Sequence, residues 1–252
     1  MNRRLTTLDG FGMFTAWILI LGTLISYTPQ YYKIYKNKNT HGISESMLIF
    51  GIYSSYLNVL GTIQENLFEL NNCGDDCFNN IIPIIQLFSP CLCAIIFYFF
   101  YIIYYVDVLD SESDTGSIYN IRKKAIINFI ILFFILIYFF IAINFNYNFN
   151  NNSGKILNIF STIFSLIMWL PQIYKTYKLR DNQTLSLIAL LIHSIGCLIT
   201  IIYQSFIIMQ PIWIILCYIV GFLSESSILI MSLYFKYQLD DNTSSLYEKL
   251  IN

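Results

Sequence analysis

Charge is what this 252-residue sequence has least of: 12% of its residues are Asp, Glu, Lys or Arg, about half the roughly 25% of an ordinary soluble domain. Two histidines argue against a His-rich metal cluster. No Gly-rich phosphate loop, nucleophile elbow or other catalytic constellation is present, so neither an enzyme nor a cofactor is expected. The segments between apolar stretches are short, which excludes a soluble catalytic domain. The basic residues lie in short loops, and nothing suggests nucleic-acid binding. A net charge of -1 leaves the position of the charges as the useful electrostatic signal.

What fills the chain is apolar: 56% of residues are hydrophobic. Crossing a hydrocarbon core takes about 20 mostly apolar residues in a helix, and seven windows qualify. They are about 14–32, 46–64, 77–106, one within 125–149, 156–174, and two sharing 182–235 with a turn near 204–211. The fold class is therefore an all-α membrane protein with seven transmembrane helices. The stretch from Met1 to Gln30 lacks a small-residue cleavage site and is read as a retained first helix, not a signal peptide. If the helices alternate, Lys33, Lys36, Lys38, Arg122, Lys123, Lys124, Lys175, Lys178, Arg180, Lys236 and Lys249 share one side, and only Arg3, Arg4 and Lys155 fall on the other. The basic side is the cytosol, which places the N-terminus in the lumen and the C-terminus in the cytosol.

The stretch SYTPQYYKIYKNKNTHGIS, residues 26–44, returns 142 positions later as MWLPQIYKTYKLRDNQTLS, residues 168–186. Without a gap, Pro29/Pro171, Gln30/Gln172, Tyr32/Tyr174, Lys33/Lys175, Tyr35/Tyr177, Lys36/Lys178 and Ser44/Ser186 are identical pairs. The copies end the first and fifth windows, four crossings apart, so they have the same orientation. This predicts two parallel three-helix repeats joined by a linking helix, a 3+1+3 order. Their expected bounds are 12–107 for the first repeat, 122–149 for the linking helix, 155–238 for the second repeat and 239–252 for a cytosolic tail.

These paired Pro-Gln elements, each followed by basic residues and a Ser that starts the next helix, resemble the PQ-loop repeat membrane proteins. That family includes cystinosin and lysosomal cationic amino acid exporters and is related to SWEET sugar transporters and KDEL receptors. The resemblance spans about residues 12–237. It implies a secondary transporter of a small polar solute, with an amino acid as one class, in an endolysosomal or vacuolar membrane. The alternative is a receptor or trafficking component that keeps the fold without transporting.

Proline inside a helix lacks an N–H and displaces the carbonyl four residues earlier, here those of Ile25 and Ile167. Pro29 and Pro171, with Gln30 and Gln172 beside them, are thus candidate hinges; the other reading is that each proline finishes its helix at the membrane surface. Ionisable residues deep in a span are functional candidates. His193 lies about 14 Å in from Thr184 and Glu225 about 16 Å in from Lys236, at 1.5 Å per residue, so the two can share a level. A carboxylate there can carry a proton and an imidazole can relay it; each can also be a hydrogen-bonded interhelical residue. The resemblance implies a proton-linked acid in the last helix, although those relatives typically carry Asp there. Asn58 is a third candidate for the path of solute and protons.

Cys91, Cys93, Cys197 and Cys217 fall in apolar windows and read as packing residues. Cys73 and Cys77, in a loop assigned to the lumen, can form a disulfide or stay free. Asn151 is a glycosylation acceptor pattern on the lumenal side, whereas Asn182 and Asn242 should be silent in the cytosol. Tyr247 and Leu250 frame a Tyr-x-x-apolar pattern of the kind sorting adaptors read. The expected partners are a small-molecule solute, protons, the lipid bilayer and such an adaptor.

Overall fold

A computed structural model describes residues 10–38, 40, 43–67, 77–105, 114–144, 147–179, 186–207 and 212–251. Among them every long element is helical. α1 is Gly10–Asn37, α2 Glu45–Glu65, α3 Cys77–Ile103, α4 Asp114–Ile143 and α5 Tyr147–Leu179. α6, Leu187–Ile202, passes into one π-turn at Tyr203–Ile207, and α7 is Ile212–Ile251. All seven are long and apolar enough to cross a membrane, and the chain is an integral multi-pass membrane protein. α5 begins at Tyr147, inside the window expected for the fourth helix and well before the expected start at 155. Polar Asn and Ser residues fill its first turns and hide it from a hydropathy reading. Residues 239–251 continue α7 as helix.

Side-chain contacts fix the directions. α1 and α3 run side by side in the same sense, with Tyr31 donating to the Cys93 carbonyl at 2.7 Å and Tyr35 edge-on to Tyr104. α5 and α7 do the same, through Cys217 with Thr162 and Trp169 with Ile228. α2 lies antiparallel to α5, and α6 antiparallel to α1. α1 packs on α3 and α6, α5 on α7 and α2, α2 on α3, and α6 on α7. Exchanging α1 with α5, α2 with α6 and α3 with α7 turns that set into itself.

Lipid tails are as apolar as leucine, so close packing and hydrogen bonds hold such helices together. The α2–α5 seam has both. Ser54 Oγ donates to the Ser161 carbonyl at 3.0 Å, and Ser161 Oγ returns the bond to the Ser54 carbonyl at 2.7 Å. At Gly61 the backbones come so near that a Cβ would lie 2.5 Å from Asn158 Oδ1 and 2.8 Å from the Gly154 carbonyl. Asn158 in turn donates to Glu65 Oε1 at 3.0 Å. α4 touches α2, α3 and α5 far more lightly. It presents Ile126, Ile130, Phe133, Phe134, Phe140 and Ile141 outward, as expected of a helix apolar on all faces in lipid.

Candidate functional site

Both prolines lie within helices. α1 continues from Pro29 to Asn37 and α5 from Pro171 to Leu179, so the reading in which each proline finishes its helix does not describe this structure. Near Pro29 the Thr28 hydroxyl donates back to the Leu24 carbonyl at 3.1 Å, within α1.

The glutamines that follow the prolines do the same thing twice. Gln172 Oε1 accepts the backbone N–H of Ser44 at 2.8 Å, and Gln30 Oε1 accepts that of Ser186 at 2.7 Å. Each serine is the N-cap of its helix: Ser44 Oγ accepts from the Met47 N–H and Ser186 Oγ from the Ala189 N–H. An N-cap side chain satisfies one of the orphan N–H groups of the first turn, but the cap residue's own N–H still needs an acceptor. Here the other repeat supplies it, in both directions and in the same sequence register. All four residues are buried. Beside one clasp, Lys175 donates to the Ile43 carbonyl at 2.7 Å, and Gln172 Nε2 donates to Thr176 at 3.2 Å. Sequence reasoning placed the glutamines, able to donate and to accept, beside a break but did not name their partners in the other repeat; the paired Ser44/Ser186 identity was the available signal.

Deeper in, α6 and α7 bring His193 and Glu225 together, with Nδ1 and Oε1 2.6 Å apart. Glu225 is 1% exposed, whereas the His193 side chain is 32% exposed. The second carboxylate oxygen faces Cys197, whose Sγ lies 3.7 Å from Oε2. Next to this group Ser194 and Ser226 share a hydrogen bond at 3.0 Å, fixing the register of α6 on α7. Tyr27 of α1 meets the imidazole edge-on, with ring centroids 5.4 Å apart. Tyr27 precedes Pro29 and Gln30 follows it, so α1 touches the His193 group and the Ser186 cap from opposite sides of its proline.

Asn58 lies half-buried on α2 and accepts from Thr62 at 3.5 Å, a bond within its own helix. Cys197, expected to be packing, is buried, and its thiol faces the Glu225 carboxylate. Cys73 and Asn182 lie outside the described residues, as do the side chains of Cys77, Asn151, Asn242, Tyr247 and Leu250.

Two matched halves, each contributing a Pro-Gln helix that caps the other half's second helix, define a repeat-built helical membrane protein. Comparison with known families adds the rest. The family model described as PQ loop repeat matches residues 11–70 and 153–207, taking in α1 with α2 and α5 with α6. The chain carries two copies of the PQ-loop repeat, one in each of those segments. Among solved structures, a eukaryotic SWEET transporter is similar to it in fold, with a TM-score of 0.54 at 10% identity over 90% of this chain and 100% of that one. Comparison with curated proteins finds no match.

Proposed function

We propose that the chain is a proton-coupled secondary transporter of a small polar solute, an amino acid being the class its family resemblance points to, in an endolysosomal or vacuolar membrane. Its architecture on this reading is two parallel three-helix repeats, 12–107 and 155–238, joined by α4. The observation that carries the proposal is the buried Glu225 carboxylate in contact with His193. Ionisable residues within a span are costly and mark ion or substrate pathways, and this pair lies where a swing of α1 about Pro29 would be felt through Tyr27.

In this reading Glu225 is the proton carrier and His193 relays to it. The two Gln–Ser clasps hold one face shut, and bending at Pro29 and Pro171 lets each glutamine leave its cap. The cap N–H then meets water, so opening exchanges one hydrogen bond for another instead of stranding a donor. The Tyr247–Leu250 pattern fits delivery to an endolysosomal membrane.

Uptake into proteoliposomes under an imposed pH gradient tests the proposal, with labelled amino acids and sugars as candidate solutes. Wild-type protein should accumulate one solute class only while the gradient persists. Glu225→Gln should lose that accumulation yet keep solute exchange in the absence of a gradient, which also shows that the variant is folded. Uptake of no small solute would turn the assignment to a receptor.

A further inference from the structure

We infer that His193, Cys197 and Glu225 form a binding site for a divalent transition-metal ion of the zinc class. His193 and Cys197 are four apart on α6, a spacing that puts both side chains on one face of a helix. Glu225 faces them from α7. The imidazole nitrogen, the thiol sulfur and a carboxylate oxygen lie within 4.8 Å of one another. Bonds of about 2.0–2.3 Å at tetrahedral angles put ligand atoms roughly 3–4 Å apart. Cys197 Sγ lies 3.7 Å from Oε2 and His193 Nδ1 2.6 Å from Oε1, so a turn of the Glu225 carboxylate presents one oxygen between nitrogen and sulfur.

The donor set selects the ion. One nitrogen, one sulfur and one oxygen suit a borderline or soft cation, whereas Mg²⁺ and Ca²⁺ require mostly oxygen. A thiolate and a carboxylate together neutralise a divalent charge, which a site among apolar helices demands. Three protein ligands leave a fourth tetrahedral position open, as in sites whose ion or bound group exchanges. The Tyr27 ring, packed edge-to-face with the imidazole, holds it in place. A His–Glu pair that only shares a proton has no need of Cys197; three-point ligation uses all three.

The site uses the pair on which the transport reading rests, so one experiment must separate the two. Full-length protein in nanodiscs, kept anaerobic, is titrated with Co²⁺ as probe and then with Zn²⁺ as competitor. The expected result is one cobalt per chain, a near-ultraviolet thiolate-to-cobalt charge-transfer band, tetrahedral visible bands, and their loss to zinc. Cys197→Ser should keep the wild-type gel-filtration profile and unfolding temperature, lose the charge-transfer band and bind cobalt roughly 100-fold more weakly, at or beyond the 10–100-fold typical of changes outside the ligand set. Wild-type protein without a thiolate band, or Cys197→Ser with a wild-type spectrum, overturns the site. Gradient-driven uptake without a cobalt band would leave transport standing and remove the metal site; a cobalt band without uptake of any solute would do the reverse.

Discussion

Gln172 and Gln30 are the residues whose loss the structure translates most directly into free energy. Replacing Gln172 by Leu leaves the Ser44 N–H buried without its acceptor, and a stranded buried donor costs about 1–3 kcal/mol. Gln172→Leu and Gln30→Leu should therefore each lower stability by that amount. Denaturant unfolding of the purified protein measures both. The same residues show what sequence can and cannot convey. Depth along a helix is countable, so His193 and Glu225 could be placed at one level before any coordinates, and they meet at 2.6 Å. Which neighbour a side chain turns toward is not countable: the Asn58 amide bonds within its own helix. A cysteine in an apolar run reads as filler, so Cys197 was legible only through its four-residue offset from His193.

At the scale of elements, two kinds of glycine separate seam from lipid face. Gly61 lies where a Cβ would meet Asn158 and the Gly154 backbone, whereas Gly22 and Gly196 have nothing within 4 Å of theirs. Gly61→Ala must push α2 from α5 and should cost about 1–3 kcal/mol. Gly22→Ala and Gly196→Ala gain helix propensity and should be neutral or stabilising by up to about 1 kcal/mol; thermal unfolding of the three variants side by side decides it. Pro29→Ala and Pro171→Ala restore a backbone donor and stiffen α1 and α5, so each should slow transport while raising thermal stability, and normal flux in both would remove the hinge. The repeat was readable because Pro, Gln, Lys and Ser recur in one register, and the windows because hydropathy follows helix length. The early start of α5 was not, since its polar first turns carry no hydropathy signal, and the π-turn at Tyr203–Ile207 leaves no compositional mark.

For the whole molecule, the question is which part holds still. The α2–α5 seam is locked by the reciprocal Ser54–Ser161 bonds and by Gly61 against Gly154, contacts with no slack for sliding. The α1–α6 contact relies instead on the Gln30 clasp and on rings, Tyr27 against His193 and Tyr203 reaching the Gly12 carbonyl at 3.4 Å. Rings slide and a clasp can release, so the transport cycle should open along α1–α6 while α2–α5 stays closed at Ser54 and Ser161, only its Gln172–Ser44 end parting. Cross-linking tests this directly. A cysteine pair replacing Gln30 and Ser186, joined by a short bifunctional reagent, should abolish uptake, and a reducible reagent should let dithiothreitol restore it. The same reagent across Ser54→Cys and Ser161→Cys should leave uptake unchanged, because that seam is not required to part. Equal inhibition at both places would mean that the two repeats separate as rigid bodies, and α2–α5 would no longer be the fixed axis.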